Sequence, residues 1–403
     1  MTNPAMRFRR DDGITFPDWD ASEIGNVADI YSGGTPSTSV SEYWDGSIQW
    51  LTPTEINSKY VHNSRRTITS AGLENSSAKL LPIGALLLTT RATIGACSIN
   101  NFDGAVSTNQ GFQSLICKSA LFNEYAYYAI TRDKFQKELI KYSSGSTFLE
   151  ISSKNLKKLP IPIPCLEEQQ KIASFFSTLD QKIDLNERKL ETLEKLKKGL
   201  MQKIFNRKIR FKKDDGTDFP GWTLSSLQNI VDINPRSDNL PDVFIYVDLE
   251  SVSKGELVRQ NWIKKEQAPS RAQRLVQDGD ILFQTVRPYQ MNNFLFRTYY
   301  KEQYVASTGY AQLRTKDADI NFVYHLIHSS SFLNQVFSRC TGGAYPAINP
   351  TQLGTIKIWI PCLKEQQKIG QFLSSIETKI TLQKKYVRCL TILKIGLLQK
   401  MFI

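Results

Sequence analysis

Beyond Pro164, apolar side chains fall on an alternating four-three spacing through Ile172, Phe176, Leu179, Ile183, Leu190, Leu193, Leu200 and Ile204. Beyond Pro361 the same spacing runs through Ile369, Leu373, Ile376, Ile380, Val387, Leu390, Leu397 and Met401. A period of 3.5 residues sustained over this length predicts a helix with a seam for a partner helix. The proline before each run, the glutamates in the first turn and the lack of internal proline support that reading. At 1.5 Å per residue, a helix of roughly 40 residues is about 60 Å long. Each seam is interrupted at matching points, by Asn186 and Gln383 and again by Lys197 and Lys394. Polar residues in a seam cost stability and fix register. The two helices are therefore expected to form an antiparallel coiled coil, because the chain must travel out through a globular segment and back. Two independent amphipathic helices, each lying on its own globular segment, are the alternative.

Outside these runs the pattern changes to short apolar stretches bounded by turn residues, which predicts mixed α/β (α+β) globular segments. Leu86 to Thr90 and Ile281 to Thr285 read as strands that each follow a glycine and lead to a basic residue, Arg91 or Arg287. Tyr125 to Ile140 and Phe322 to Phe337 read as helices at comparable places.

The chain is an imperfect duplication. The segment from Arg7-Phe8 through Asp11-Asp12-Gly13 and Phe16-Pro17 to Trp19 recurs from Arg210-Phe211 through Asp214-Asp215-Gly216 and Phe219-Pro220 to Trp222, with eight of thirteen positions identical. Cys165-Leu166-Glu167-Glu168-Gln169-Gln170-Lys171-Ile172 recurs as Cys362-Leu363-Lys364-Glu365-Gln366-Gln367-Lys368-Ile369, and a closing Gly199-Leu200 motif as Gly396-Leu397. Three collinear matches exclude chance, and a repeat fixes boundaries. The boundaries are 1–165 and 211–362 for the globular segments, 166–210 and 363–403 for the helices. Between the anchors the halves share little beyond Ser107-Thr108 against Ser307-Thr308 and Gly145 with Phe148 against Gly342 with Tyr345. Joining the two ends would nearly complete the repeat, so the arrangement is a pseudo-twofold circle whose termini should meet near one end of the helical pair.

Composition narrows the class. At 403 residues and 41% hydrophobic the chain can build more than one core. No apolar stretch approaches the roughly 20 residues that span a bilayer, and no secretory signal is visible, so the cytoplasm is the expected location. The six cysteines stand singly, which suggests free thiols, and the three histidines form no ligand cluster, so no metal is expected. A net charge of +12 favours an anionic partner such as nucleic acid. Its distribution is uneven: 1–165 and 211–362 each hold 16 basic and 15 acidic side chains, whereas 166–210 holds 11 against 7 and 363–403 holds 8 against 2. Lys182, Lys189, Lys384 and Lys385 are candidates to line a DNA spacer, although a solvated helix face would show the same excess.

Two divergent domains separated by repeated helices of the Glu-Gln-Gln-Lys-Ile type resemble the specificity subunit of type I restriction-modification enzymes, over essentially the whole chain. The first domain looks like a common target-recognition type, with Gly33-Gly34-Thr35-Pro36-Ser37, Tyr43-Trp44, Ile48-Gln49-Trp50, Thr90-Arg91-Ala92-Thr93-Ile94-Gly95 and Ser107-Thr108-Asn109-Gln110-Gly111. The second departs from it, with Asn234-Pro235-Arg236 and Arg287-Pro288-Tyr289 at the corresponding turns. The resemblance implies that each domain reads one half of a bipartite asymmetric DNA site. It also implies that the helices dock methyltransferase subunits, two copies, and that restriction/translocase subunits join them. Adenine N6-methylation with S-adenosylmethionine, and ATP- and Mg-dependent cleavage, would then belong to the partners, with no cofactor on this chain.

The residues agree by what they omit. Asn234-Pro235 and Asn349-Pro350 lack the second proline and aromatic of an adenine methyltransferase motif, and no phosphate-binding Gly-x-x-x-x-Gly-Lys loop occurs. No catalytic residue is assigned. Base reading in the major groove needs guanidinium forks or amides on loops. The candidates are Arg65, Arg66, Arg91, Thr93, Asn109 and Gln110 in the first domain, and Arg236, Arg259, Arg271, Arg274, Arg287, Tyr289 and Gln290 in the second. A stand-alone bivalent DNA-binding regulator would share the charge and the duplication, but would not need two register-fixed helices.

Overall fold

The computed structural model describes residues 3–91, 93–145, 149–237, 239–297 and 302–402; Ala92, Phe148 and Ile403 of the motifs above lie outside the described residues. The chain divides into two units, one of residues 1–187 with 386–403 and one of residues 188–385.

In the first unit a five-stranded sheet has the order Ala28–Ser32, Phe112–Cys117, Leu86–Thr89, Cys97–Asn100, Tyr60–Val61, antiparallel except for the last pair. A three-stranded sheet, Arg66–Ile68, Trp44–Leu51, Val106–Thr108, contains one parallel pair. The apolar run at Leu86 gives a strand buried at every residue, as expected for one covered on both faces. In the second unit two four-stranded sheets have the orders Val231–Ile233, Tyr310–Thr315, Ile281–Gln284, Phe294–Leu295 and Asn261–Lys264, Val243–Val247, Tyr304–Ser307, Ala272–Val276. Here too one pair is parallel, Val243–Val247 with Tyr304–Ser307.

The two helices expected around residues 125 and 322 are each broken in two. Asn123–Thr131 is followed by Asp133–Lys141 because Arg132 takes an extended backbone, φ −68° and ψ 148°. Ile320–Leu326 is followed by Ser330–Phe337 because the Ser329 side chain accepts from the Phe332 amide and starts a new helix. Continuous apolar spacing across both breaks hides them in the sequence.

The long helices are Leu166–Phe205, 40 residues, and Leu363–Met401, 39 residues. They pack antiparallel on each other: within the second unit Lys197 pairs with Glu377 and Lys384 with Glu194 at 2.8 Å, and within the first unit Lys394 pairs with Asp180 at 2.6 Å. The two seam lysines thus meet carboxylates at matching places, Asp180 and Glu377, which makes the polar interruptions specific pairings. The seam also does more than join helices. Ile172, Phe176 and Leu179 lie in the core of the first unit with Trp19, Tyr125 and Tyr128, and Leu390, Met401 and Phe402 from the second helix complete that core. Ile369 and Leu373 enter the core of the second unit beside Met201, Ile204 and Phe205. Burying a side chain such as Phe176 contributes about 1.5–3 kcal/mol. The helices therefore lie on their domains and on each other.

The repeated motif at each helix start is an anchor. Arg7 donates to both carboxylate oxygens of the buried Glu168, at 3.0 and 2.8 Å, and Trp19 Nε1 donates to the same group at 2.9 Å. Arg210 makes the equivalent pair with buried Glu365, at 3.2 and 2.7 Å. Gln169 accepts from the Phe122 amide at 2.8 Å and donates to the Pro164 carbonyl, and Gln366 accepts from Asp319 and donates to Pro361. Lys171 and Lys368 donate to the carbonyls of Arg9 and Lys212. Beside the first anchor the Met6 amide donates to the Lys400 carbonyl at 3.0 Å, which brings the two ends of the chain together.

Candidate nucleic-acid interface

Five loops of the first unit converge through hydrogen bonds. The strand Leu86–Thr89 ends where both the amide and the hydroxyl of Thr90 donate to the Gly111 carbonyl, at 2.8 and 3.3 Å. The Gly34 amide donates to Thr108 at 2.8 Å, and Trp50 Nε1 donates back to the Gly34 carbonyl at 2.9 Å. A Cβ on Gly33 would stand 2.1 Å from the Asn109 carbonyl, so the Gly-Gly turn is what lets this loop approach so closely. Glu55 caps its own turn at Thr52 and accepts from the Arg65 amide at 2.7 Å, tying in the fourth and fifth loops.

The second unit repeats the central staple. The amide and hydroxyl of Thr285 donate to the Gly309 carbonyl at 3.0 and 2.8 Å. Thr90 belongs to a target-recognition motif of the sequence, but neither threonine is among the candidate site residues, and the signal for the staple is faint: a threonine at each strand end and a glycine after each Ser-Thr pair. The loop that follows differs. Arg91 pairs with Glu150 at 2.8 Å, whereas Arg287 lies over the Tyr345 ring, 4.2 Å from its centroid. In both units the partner comes from the glycine-marked turn near residue 145 or 342.

The other candidates occupy distinct settings. Arg66 is exposed and lies 3.6 Å from the centroid of the Trp44 ring. Arg65, Thr93, Gln110, Arg236 and Arg271 are exposed, while Asn109 is half-buried and accepts from the Gly111 amide at 2.9 Å. Gln110 accepts from the Thr35 hydroxyl. Arg259 pairs with Glu250 at 3.0 Å. Arg274 sits half-buried in a strand with its Nε buried and unpartnered, and burial holds its guanidinium below the usual arginine range. Tyr289 and Gln290 are exposed on the loop after Arg287. Lys182, Lys189 and Lys385 are exposed on the long helices, and Lys384, also exposed, is the one held by Glu194. Every seam candidate, Ile172, Phe176, Leu179, Ile183, Asn186, Leu190, Leu193, Lys197 and Leu200 on one helix and Ile369, Leu373, Ile376, Ile380, Gln383, Val387, Leu390, Lys394 and Leu397 on the other, is buried or half-buried.

Two units with the same staple and different loops describe one frame carrying two readers. The profile of the Type I restriction modification DNA specificity domain matches residues 17–195 and 202–387. The chain belongs to this family. It is the DNA specificity subunit of a type I restriction-modification system, with two target-recognition domains, and the catalytic activities reside in partner subunits. It is 28% identical over 408 residues to the Type I restriction enzyme MjaIX specificity subunit of Methanocaldococcus jannaschii, covering 95% of this chain and 92% of that protein. To the EcoR124I/EcoR124II specificity subunit of Escherichia coli it is 26% identical over 185 residues, 45% of this chain and 46% of that one. The fold matches the crystal structure of the type I restriction-modification S subunit from M. genitalium with a TM-score of 0.62 at 16% identity, covering 100% of this chain and 99% of that chain. A second solved chain, from work on complex assembly and conformational transition of the type I system, matches with a TM-score of 0.58 at 19% identity, covering 96% and 98%.

Among the described residues no group of three or more His, Cys, Asp or Glu could hold a metal, and no helix is long and apolar enough to cross a membrane.

Proposed function

We propose that the loop cluster of each unit reads one half of a bipartite asymmetric DNA site, with target-recognition domains at 1–165 and 211–362 and helical spacers at 166–210 and 363–403. The observation that carries this reading is the shared staple, Thr90 on Gly111 and Thr285 on Gly309, holding loops of different chemistry. A fixed frame with variable loops is what a pair of readers needs, since phosphate contacts position and base contacts specify. Base readers are then drawn from Arg65, Arg66, Arg91, Thr93, Asn109 and Gln110 on one side and from Arg236, Arg259, Arg271, Arg274, Arg287, Tyr289 and Gln290 on the other. Replacing residues 16–160 by another target-recognition domain changes one half-site and leaves the other; a change in both halves defeats the modular reading.

The helices dock two methyltransferase subunits, with restriction subunits joining the assembly in the cytoplasm and S-adenosylmethionine, ATP and Mg bound on those partners. Support comes from apolar side chains outside the seam that are exposed in duplicate: Phe175 and Phe372, Leu185 and Leu382, Leu196 and Leu393. Each pair occupies the same place in the repeat, as two identical partners would require. The double substitution Leu185→Asp with Leu382→Asp should leave thermal unfolding unchanged and abolish co-purification with the methyltransferase. Retained co-purification places the docking surface elsewhere.

A further inference from the structure

Gln290 stands at the exposed end of a side-chain chain whose inner members are fixed. The loop Arg287–Met291 enters and leaves through left-handed backbone, φ 53° at Arg287 and 52° at Met291, both non-glycine residues. Such conformations persist only where the surroundings hold them. The Arg287 amide donates to the Pro346 carbonyl at 2.7 Å, and Asn292 and Asn293 are held from below by the Lys254 and Gln284 amides at 3.1 and 2.8 Å.

Gln284 is 1% exposed, and both ends of its amide have backbone partners. The Asn292 amide can only donate, so the atom it meets at 3.1 Å is Gln284 Oε1; the Val286 carbonyl can only accept, so the atom 2.8 Å from it is Gln284 Nε2. The same Nε2 lies 2.8 Å from Gln290, which must therefore turn its own Oε1 inward as an acceptor. Its NH₂ is left as the outward group. A glutamine that pairs with adenine uses both amide atoms at once, Oε1 for the N6 amino group and Nε2 for N7. Gln290 cannot present that edge while Oε1 faces Gln284.

We propose that Gln284 orients Gln290 as a donor-only reader in the second target-recognition domain, selecting guanine, whose major-groove edge offers the acceptors O6 and N7, over adenine and cytosine. Gln284 is the positioning residue and Gln290 the specificity-determining one. The proposal rests on the reading of this unit as a base reader.

The test uses the chain assembled with its methyltransferase, methylating a random duplex library whose modified members are sequenced, so that both half-sites are scored together. Gln290→Glu keeps the inward acceptor and replaces the outward donor by an acceptor. It should lose the guanine preference at one position of one half-site, on the order of tenfold, in favour of a base carrying an amino group. Gln284→Met releases Oε1 and should admit adenine at that same position. The other half-site, unchanged, reports an intact enzyme. If the charge in Gln290→Glu abolishes methylation, the uncharged Gln290→Met must remain active with that one preference relaxed. An unaltered preference in Gln290→Met, or an adenine preference in the parent that Gln284→Met does not move, overturns the assignment. Replacing the whole of 287–291 separates this from the broader reading: a shift there with none in Gln290→Met removes only the role of Gln290, and no shift in either removes the unit as a base reader.

Discussion

The guanidinium carbon of Arg66 lies over Trp44, 3.6 Å from the ring centroid, and Trp44 is itself held edge-on to Trp50 with 5.1 Å between centroids. An exposed arginine held by an aromatic face loses little freedom when it meets a base, and its planar fork stays available for bidentate bonding. Arg66→Lys keeps the charge but loses the fork, so it should weaken binding almost as much as Arg66→Ala, roughly tenfold against DNA carrying the half-site of the first unit. Competition binding with duplexes altered in one half-site measures this; equal binding by Arg66→Lys and the parent removes Arg66 from the readers.

The two helix anchors should differ in strength. The Arg7 side chain is 16% exposed and its carboxylate partner also receives the Trp19 indole, whereas the Arg210 side chain is 31% exposed and Trp222 Nε1 is buried with no acceptor. The pairing with Glu168 holds Arg7 above the usual arginine range, so its charge persists at every workable pH. Removing one partner of a buried pair costs about 3–5 kcal/mol. Arg7→Ala should approach that figure and Arg210→Ala should fall below it, as read by denaturant unfolding of each variant; the reverse order contradicts the geometry.

Acid should loosen the second unit through its buried histidines. Burial first, and then the nearby Lys197 charge, lower His325 to about 3, and burial lowers His328 to about 4, against 6.5 for the free side chain. Both are neutral when folded, so the unfolded chain binds more protons below pH 6.5. Stability from these groups is complete above that pH and is lost as pH falls toward 4, by up to about 1.4 kcal/mol per pH unit for each histidine. Melting the parent and a His325→Gln, His328→Gln double variant from pH 7.5 to 4.5 should show a steeper decline in the parent. Parallel declines exclude the histidines as the cause.

Reversing the helix lysines tests where the excess charge acts. Of the four candidate lysines, Lys384 pairs with Glu194 at 2.8 Å, whereas Lys182, Lys189 and Lys385 are exposed and stand in no ion pair among the described residues. If each neutralises one phosphate, reversing these three removes about 3 units from the slope of log affinity against log salt, while reversing Lys384 alone removes less than one. An unchanged slope together with lost methyltransferase binding assigns the faces to the partner.

The helices and the duplicated anchors were legible because a heptad spacing and a Glu-Gln-Gln-Lys-Ile repeat are local and periodic. The roles inside the repeat were not: Glu168 reads as a first-turn carboxylate, and only the fold reveals that it closes on Arg7, 161 positions away. The same limit hid the breaks at Arg132 and Ser329, since apolar spacing runs through both. At the interface, arginines could be named by residue type, but whether a fork is stacked, like Arg66, or already engaged, like Arg91 on Glu150, depends on loops distant in sequence. Gln284 carried no sequence signal at all, being one polar residue at the end of an apolar strand.

Phe402 stacks on Tyr125 with 5.4 Å between ring centroids, inside the core that Trp19 and Phe176 also build. Synthesis runs from the N-terminal side, so most of the first unit emerges first yet lacks Leu390, Met401 and Phe402 of its core until residues 386–402 have left the ribosome. The second unit, contiguous from 188 to 385, has all its parts earlier. The reader encoded first is thus the reader finished last, and a transcript cut short beyond residue 385 would yield a chain with one competent domain and one open core exposed to chaperones and proteases.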